Sequence, residues 1–417
     1  MSDTLFFHID VNSAFLSWSA LSLLEQGQST DIRTIPSIIG GDISKRHGVV
    51  LAKSIPAKAY GITTGEPVVN AFRKCPTLVS VPPDHRLYAE RSQILMSYLA
   101  SICPELEQVS IDECYLNFTP IAGEYASPEE AAHIIKDEVH RRFGFTVNVG
   151  ISNRKVLAKM ASDFQKPDRV HTLYSHEIKE KLWPLPISSL FLCGRSSVNI
   201  LHNLGILTIG DLAASEPAII EGHLKSHGRT LWNYANGIDD SVVVPEPAQA
   251  KGIGHSTTVA HDITEYEEAC RILLQLSEAV SKRLREQSFC AGQVCTEIKY
   301  STFKSVSHQG LLITPSASTE VIYRKACELF RDLWDESPVR LLGIRVTKFT
   351  PASEPVQLSL FDYSAPVNEK HQKLDRALDS IRQKYGRDAV LRGSLYQSTP
   401  RDTLSSAEAT DHSPSNE

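Results

Sequence analysis

Two adjacent carboxylates, Asp112 and Glu113, stand inside a stretch that otherwise has the apolar alternation of a half-buried β-hairpin. The apolar members of this stretch are Val109, Ile111, Cys114, Leu116 and Phe118. Like charges on neighbouring residues repel each other, so an acidic pair in an apolar strand needs a compensating partner. Two interpretations are open: a solvated turn between two strands, or a site where carboxylate oxygens replace part of the hydration shell of a divalent cation.

A third carboxylate, Asp10, ends another apolar stretch. Leu5 to Asn12 predicts a short buried strand, and Ala14 to Leu24 predicts a helix after it. A single aspartate at this place is commonly a helix N-cap. An acid at the tip of one strand and an acidic pair on a hairpin are, however, what two-metal phosphoryl transfer requires, because shared carboxylates hold the two ions about 4 Å apart.

The composition is that of a globular chain. Its 417 residues, 41% of them hydrophobic, suffice for about two to four domains with cores of their own. The eight cysteines include no Cys-x-x-Cys pair, which argues against a zinc ribbon or a disulfide framework. Without a secretory leader or an apolar run of about 18 residues, we expect a cytoplasmic protein and no membrane association. The formal charge of −6 still allows a locally basic groove.

Helix and strand signals surround the acidic pair. Tyr88 to Ile102 has the apolar periodicity of an amphipathic helix. Pro128 to Arg142 predicts a second helix, with Ser127 as its N-cap, and Phe145 to Ile151 predicts a buried strand. Returns of this kind from strand to helix to strand indicate an antiparallel sheet with helices on one side.

The stretches from His8 to Phe15 and from Ser110 to Leu116 together resemble the two catalytic motifs of the Y family, the translesion DNA polymerases. The first is more similar to bacterial polymerase V, and the C-terminal region to polymerase IV. The resemblance implies an α+β right-hand polymerase with a palm (antiparallel sheet plus helices), small fingers, a helical thumb with a helix-hairpin-helix, and a little-finger domain. It also implies two-metal-ion insertion of deoxynucleotides opposite damaged or distorted template, by a monomer that uses Mg²⁺, primer-template DNA and deoxynucleoside triphosphates.

The resemblance also implies domain boundaries. We expect the palm at residues 1–13 and 81–170, the fingers at 14–80, the thumb at 171–240, a linker at 241–250 and the little finger at 251–350. Residues 351–396 would carry a clamp-binding peptide and a C-terminal helix, and residues 397–417 a disordered tail. In the little finger, the order of strands and helices predicts a small sheet backed by two helices.

By the same resemblance, Asp10, Asp112 and Glu113 are the catalytic carboxylates. All three would bind metal, with the main-chain carbonyl of Val11 as a further ligand. Asp112 would bridge both ions with Asp10, whereas Glu113 would serve the primer side.

Two residues of the predicted first helix would shape the nucleotide site. Phe15 falls where the family keeps an aromatic steric gate, which excludes a ribose 2′-hydroxyl by van der Waals contact. A core phenylalanine is the alternative interpretation. Ala14 stands where many relatives carry a second aromatic residue, so the resemblance implies a roomier site.

The triphosphate end departs from the polymerase IV pattern. Ile55 replaces a tyrosine and Lys58 replaces an arginine, so Lys58 would bind phosphate as a point charge instead of a bidentate fork. Because Ile55 cannot donate a hydrogen bond, Lys53 is a candidate substitute. Lys166, the lysine before Pro167, falls where relatives contact the triphosphate.

The stretch from Leu192 to Leu201 resembles a helix-hairpin-helix, in which a glycine turn points backbone N–H groups at a DNA phosphate. Gly194 and Arg195 are the expected DNA-binding residues there. Leu192 replaces the usual first glycine, so a weakened phosphate nest is expected.

Other basic residues are candidates for contact with DNA or for structural roles. Lys299 and Arg345, on strands of the predicted little finger, would meet phosphates. Lys155 and Lys159 lie one helical turn apart and would either be structural or touch the template backbone.

The stretch from Gln357 to Phe361 is similar to the peptide by which bacterial polymerases bind the sliding clamp. Gln357 would hydrogen-bond at one edge, and Leu358, Leu360 and Phe361 would complete the apolar contact. Exposed apolar residues in a tether are unfavourable without a partner.

Two other functions are open at this point. Ile55, Lys58 and Leu192 motivate a catalytically weakened, clamp-tethered DNA-binding scaffold that acts in the DNA damage response. Gly40-Gly41-Asp42 imitates the start of a nucleotidyl-cyclase signature, but no second acid follows, and we interpret it as a tight turn.

Overall fold

The computed structural model describes residues 4–41, 48–246, 249–354, 369–386, 389–390 and 392–393. The chain forms two compact units, Met1–Ala248 and Gln249–Glu417. None of the helices in the described ranges combines the length and apolar character that a membrane span requires.

The first unit contains three groups of elements. In chain order they are β1 (Phe6–Val11), α1 (Ala14–Glu25), β2 (Ser37–Gly40), β3 (Val50–Lys53), α2 (Ile55–Ala59), α3 (Val68–Lys74), β4 (Val79–Val81), α4 (His85–Ile102), β5 (Leu106–Gln108), β6 (Glu113–Asn117), α5 (Pro128–Phe143), β7 (Val147–Ser152), α6 (Lys155–Ser162), β8 (Val170–Thr172), α7 (Arg195–Asn203), α8 (Ile209–Ala214) and α9 (Pro217–Ala235).

A five-stranded sheet of order β5-β6-β1-β7-β8 carries the two acidic motifs. Its central strand β1 pairs antiparallel with both β6 and β7, as the sequence predicts. The expected antiparallel sheet is confirmed for these strands, whereas the edge strand β8 pairs parallel with β7. The chain returns to that edge through α6, and such a crossover lets two strands run in the same direction.

The core beneath this sheet explains why β1 and β6 are adjacent. Phe7 of β1 stacks on Phe118, which directly follows β6, with ring centroids 4.1 Å apart. Trp18 of α1 and Leu95 of α4 are fully buried in the same cluster. Burial of side chains of this size contributes about 1.5–3 kcal/mol each, so α1 is held against the sheet that carries Asp10.

The two helices predicted around the acidic pair are present with small shifts. α4 begins at His85 instead of Tyr88, because Asp84 accepts hydrogen bonds from the main-chain nitrogens of Arg86 and Leu87. The prediction of Ser127 as the N-cap of α5 is confirmed: its hydroxyl accepts from the main-chain nitrogen of Glu130 at 3.1 Å.

Two smaller clusters complete the first unit. The sheet β3-β2-β4 has its own core around Ile38, Val50 and Val68. Gly40 ends β2, whereas Asp42 of the cyclase-like stretch lies outside the described residues. The helices α7, α8 and α9 share a core around Leu201 and Leu231.

The second unit is a four-stranded antiparallel sheet of order β11-β10-β12-β9. Its elements are β9 (Gly252–Ile263), α10 (Tyr266–Glu286), β10 (Phe289–Tyr300), β11 (Ser305–Ser316), α11 (Thr319–Leu333), β12 (Val339–Pro351) and α12 (Glu369–Tyr385). The predicted small sheet with two helices is confirmed, since α10 and α11 share one core with the strands. The edge strand β11, in which half of the residues are exposed, is not predicted by the sequence.

Candidate active site

The hairpin brings the three predicted carboxylates together. Asp10 and Glu113 are cross-strand partners in the β1–β6 register. The main-chain nitrogen of Val11 donates to the main-chain oxygen of Asp112 at 3.0 Å, which ties the end of β1 to the turn before β6. The two acidic motifs, about a hundred residues apart in sequence, are therefore adjacent because the strands pair.

The acidic side chains serve two different cavities. Asp10 and Asp112 line a cavity of about 680 Å³, whereas Glu113 lines a separate one of about 210 Å³. The larger cavity also collects most residues that the sequence assigns to nucleotide and metal binding: Val11, Ala14, Phe15, Lys58 and Lys166. Asp112 therefore lines the same cavity as the residues predicted to bind the nucleotide, whereas Glu113 lines the smaller cavity.

Two lysines form ion pairs with the acids. Lys166 Nζ lies 2.7 Å from Asp10 Oδ1 and 2.9 Å from Asp163 Oδ1. Lys159 Nζ lies 2.9 Å from Glu113 Oε2 and 3.5 Å from Asp10 Oδ2. Burial disfavours the charge of Lys166, but the nearby carboxylates of Asp10 and Asp163 outweigh it and raise its pKa. Both ammonium groups therefore remain charged beside the acids.

The neighbouring acids Asp112 and Glu113 have opposite electrostatic environments. Burial raises the pKa of Asp112, and the negative charges of Asp10 and Glu113 add to it, although Ser110 Oγ donates to Asp112 Oδ1 at 2.7 Å. The pKa of Glu113 is lowered to about 2, chiefly by the ring of His8, whose Nε2 lies 3.4 Å away, and then by Lys159. Of the two acids, Asp112 is thus the one whose negative charge is disfavoured by burial and by the neighbouring carboxylates.

We tested whether these residues fit a divalent metal. Within the described ranges, no three His, Cys, Asp or Glu side chains are grouped so that they could hold an ion. Lys159 and Lys166 take up carboxylate oxygens of Asp10 and Glu113 instead. The donor chemistry nevertheless fits Mg²⁺, which prefers carboxylate and carbonyl oxygens. A cation would also relieve the repulsion that raises the pKa of Asp112.

Phe15 forms a rigid wall of the larger cavity. Its ring stacks on Tyr88, with centroids 4.5 Å apart and planes 9° apart. Tyr88 is fully buried, and its hydroxyl is hydrogen-bonded to Ser19 Oγ at 2.8 Å. Ala14 beside it is 4% exposed and adds no bulky side chain. Phe15 is therefore partly buried, as in the core interpretation, while it also faces the cavity.

The predicted triphosphate residues lie around the short helix α2. Its N-cap Ser54 accepts a hydrogen bond from the main-chain nitrogen of Ala57 at 3.1 Å. Ile55 is 67% exposed, and Lys58 is exposed one turn later. Burial lowers the pKa of Lys53, and the positive charge of Lys58 adds to the effect. Lys58 and the candidate substitute Lys53 therefore both line the cavity.

Several residues that sequence analysis passed over hold the site in place. His8 is completely buried, and its Nδ1 is hydrogen-bonded to Ser162 Oγ at 2.8 Å. Asn12 is hydrogen-bonded to Asn148 at 3.1 Å, which joins the ends of β1 and β7. The signal in the sequence for these two residues was a histidine or asparagine beside an acidic motif in a stretch predicted to be buried, because buried polar groups need hydrogen-bond partners.

Lys155 and Lys159 point into the protein instead of toward an open surface. Lys155 Nζ lies 2.6 Å from Glu107 Oε2 and 4.7 Å from the centre of the Tyr115 ring. Of the two predicted roles, the structural one therefore matches the observed contacts of Lys155. Lys159 joins the active-site acids, a role that its sequence position did not indicate.

The predicted DNA-binding residues lie in separate places. Gly194 is the N-cap of α7 and Arg195 its first residue. Leu192 has a φ of 66°, the left-handed conformation that glycine adopts more easily, and its side chain is 51% exposed. In the second unit, Arg345 pairs with Cys295 across β12 and β10, and Lys299 lies on the same face because side chains alternate along a strand.

The predicted clamp-binding residues Gln357, Leu358, Leu360 and Phe361 lie outside the described residues. The described chain stops at residue 354 after β12 and resumes at residue 369 with α12. Their role stays a prediction, as do the domain boundaries.

Comparison with known proteins gives matches over both units. Residues 9–163 match the impB/mucB/samB family, and residues 250–360 match the C-terminal domain of that family. A DNA polymerase IV of Clostridium acetobutylicum is 44% identical over 94% of this chain and 98% of its own length. One of Alkaliphilus oremlandii is 35% identical over 93% and 98%, respectively.

A solved structure has the same fold. The chain matches a Y-family DNA polymerase chimera, Dbh-Dpo4(243-245)-Dbh, with a TM-score of 0.73 at 20% identity. The match covers 83% of this chain and 99% of the chimera. The α+β right-hand architecture expected from the sequence is thereby confirmed.

Proposed function

Since this chain belongs to the Y family of translesion DNA polymerases and is a DNA-directed DNA polymerase, we propose that it inserts deoxynucleotides opposite damaged or distorted template by two-metal-ion nucleotidyl transfer. One observation carries the proposal. Asp10 and Asp112 line the same cavity as Phe15, Lys58 and Lys166. Carboxylates for a metal, cations for a triphosphate and a ring for the sugar therefore surround one space.

In this proposal, Asp10, Asp112 and Glu113 hold two Mg²⁺ ions with the main-chain carbonyl of Val11. Bound Mg²⁺ would lower the pKa of the primer 3′-hydroxyl and balance the charge of the leaving pyrophosphate. The raised pKa of Asp112 supports this assignment, because burial and the charges of Asp10 and Glu113 make a cation favourable there.

The lysines would change partners when substrate arrives. Lys166 Nζ is paired with Asp10 at 2.7 Å. A triphosphate in the cavity would offer Lys166 stronger anionic partners, and Lys58 and Lys53, which line the same cavity, would bind the same group. These cations would substitute for the hydrogen bond that Ile55 cannot donate.

Phe15 would select the sugar. Its ring is held by stacking on Tyr88, so rotating it away from a bulkier substrate would cost packing free energy. A ribose 2′-hydroxyl in contact with this ring would be excluded by steric overlap, and deoxynucleotides would be preferred.

Contacts outside this cavity complete the proposal. Gly194 and Arg195 would bind a DNA phosphate at the start of α7, and Lys299 and Arg345 would bind phosphates along the sheet of the second unit. Gln357, Leu358, Leu360 and Phe361 would recruit the polymerase to the sliding clamp.

Primer extension with Mg²⁺ on undamaged and damaged templates tests the proposal. We expect wild-type protein to extend both primers, and Asp112→Asn to lose at least about 10³-fold in rate. Asp137→Asn is a matched control, because Asp137 is an exposed acid that pairs with Lys136 away from the cavity. Extension by Asp112→Asn at the wild-type rate would contradict the catalytic assignment, and absence of extension by wild type would favour the clamp-tethered scaffold.

A further inference from the structure

Two cysteines of the second unit line the same cavity, one on each of two helices. Cys270 belongs to α10 and Cys327 to α11. The two helices pack against each other, and Tyr266 Oη of α10 donates to the main-chain oxygen of Cys327 at 3.4 Å. Both thiols line one cavity of about 740 Å³.

The other six cysteines differ from this pair. All eight thiols are free and lie in the described ranges. Five of them are buried: Cys75, Cys103, Cys114, Cys193 and Cys295. Cys290 is partly exposed like the pair, but it lines a different cavity. Cys270 and Cys327 are therefore the two cysteines that share an open cavity.

The surroundings make the two thiols unequal. The thiol of Cys327 stabilises the Cys270 thiolate by hydrogen bonding, and the pKa of Cys270 is lowered although burial opposes the shift. The positive charge of Arg331 also lowers the pKa of Cys270, and Arg331 Nη2 donates to Tyr266 Oη at 3.1 Å. The pKa of Cys327 is raised by its hydrogen bond with Cys270 and by burial. One thiol thus has the character of a nucleophile and the other that of its proton-bearing partner.

We propose that Cys270 and Cys327 form a redox-active dithiol, which a peroxide converts into a disulfide that links α10 to α11. This inference concerns the helical layer and does not depend on the polymerase site. Three observations carry it: the two cysteines lie on helices that pack together, both line one cavity, and the Tyr266 hydroxyl and the Arg331 guanidinium line the same cavity.

The reaction needs hydrogen peroxide as its oxidant. The Cys270 thiolate attacks one peroxide oxygen, the O–O bond breaks, and hydroxide leaves, so that Cys270 becomes a sulfenic acid. Cys327 then attacks the sulfur of Cys270, the S–O bond breaks, and the disulfide forms. The proton of Cys327 leaves with the hydroxyl group of the sulfenic acid as water. The hydroxide from the first step takes up the proton that Cys270 lost on ionisation, so two waters form and two electrons pass from the thiols to the peroxide.

Peptide mapping tests the link directly. We expect the full-length protein, treated with stoichiometric hydrogen peroxide and digested with trypsin without reduction, to yield residues 252–271 joined to residues 326–331. Dithiothreitol should separate the two peptides and restore both thiols. Recovery of Cys270 as a sulfinic acid with Cys327 free would overturn the proposal, as would oxidation of other cysteines first.

Matched variants test whether the linked peptide depends on Cys270 and Cys327 in particular or is lost when any cysteine is replaced. Cys270→Ser and Cys327→Ser should each abolish the linked peptide, whereas Cys290→Ser should leave it unchanged. In the reduced wild-type protein, we expect iodoacetamide to label Cys270 about tenfold faster than Cys290, since the thiolate is the reacting form. Equal labelling rates would contradict the assignment of Cys270 as nucleophile.

Phenylarsine oxide provides a test that needs no mutation, because it binds tightly only where two thiols can reach one arsenic atom. We expect one equivalent to bind per chain, and prior peroxide treatment to prevent the binding. Binding that is absent in the reduced protein, or that persists after peroxide treatment, would show that the thiols are not a pair.

Discussion

At the scale of single residues, charge balance distinguishes the members of the candidate active site. Lys159 bridges Asp10 and Glu113, and Lys166 pairs with Asp10. Asp112 has no cationic partner among the ion pairs of the described residues, and its pKa is raised by burial and by the other two acids. Asp10 and Glu113 therefore have lysine partners, whereas the charge of Asp112 is disfavoured by its surroundings.

Replacing Phe15 by alanine should weaken sugar selection. The ring now stacked on Tyr88 would be missing, and a ribose 2′-hydroxyl would fit. We expect discrimination between deoxynucleotides and ribonucleotides, measured as the ratio of kcat/KM values, to fall by about tenfold or more, which is about 1.4 kcal/mol. Tyr88→Phe is the control, since it keeps the stacked ring. Unchanged selection in Phe15→Ala would assign Phe15 to the core alone.

Replacing Lys166 by methionine should impair nucleotide binding. Loss of a charge-assisted hydrogen bond costs about 1.5–3 kcal/mol, so kcat/KM for the incoming nucleotide should fall by about 10- to 100-fold in steady-state primer extension. Lys181→Met is a suitable control because Lys181 pairs with Glu177 on the surface. A loss equal to that of the control would mean that Lys166 only balances Asp10.

At the scale of elements, close packing of α6 on β7 positions Lys159 beside the acids of the candidate site. Gly150 lies in the middle of β7, opposite His8 in the β1 register. A Cβ atom at this position would overlap the main-chain oxygen of Ala158 and the main-chain nitrogen of Ser162. Only glycine lets α6 approach the strand this closely, and α6 carries Lys159.

Gly150→Ala should therefore displace α6 from the sheet. Overpacking of this kind costs about 1–3 kcal/mol or more in unfolding free energy, and we expect primer extension to fall with it because Lys159 moves. Gly123→Ala is the control, since a Cβ atom there meets no atom within 4 Å. Urea denaturation that gives equal stability for both variants would contradict the close approach.

At the scale of the whole molecule, the chain consists of two units with separate cores. The two family matches follow the same division, with residues 9–163 in the first unit and residues 250–360 in the second. The carboxylates Asp10 and Asp112, the proposed gate Phe15 and the lysines proposed to bind phosphate all belong to the first unit. The predicted clamp peptide lies beyond β12, so chemistry and recruitment should be separable.

Deleting residues 357–361 should abolish stimulation by the sliding clamp and leave basal synthesis unchanged. The deletion removes the apolar contacts predicted for Leu360 and Phe361 without touching the described core of either unit. Primer extension with and without clamp measures both quantities, and deletion of residues 405–409 in the C-terminal tail is a control of equal length. A parallel loss of basal and stimulated synthesis would make the segment structural.

Local sequence was sufficient for much of the fold. The N-cap Ser127, the helix after Asp10 and the sheet with two helices in the second unit follow from capping and periodicity, which act over a few residues. The edge strand β11 was missed because an exposed edge has little apolar alternation. The parallel pairing of β8 could not be derived, because strand direction at an edge depends on the path of the whole chain.

The sequence by itself determined the chemistry of the site: acids at Asp10 and Asp112, an aromatic ring at Phe15 and a lysine at Lys166. Side-chain identity and motif spacing are local properties and suffice for this. Only the tertiary structure decided that Glu113 faces a different cavity from Asp112 and that Lys159 pairs with the acids. Those facts depend on the pairing of β1 with β6 and on the packing of α6 against β7, which bring together residues distant in the chain.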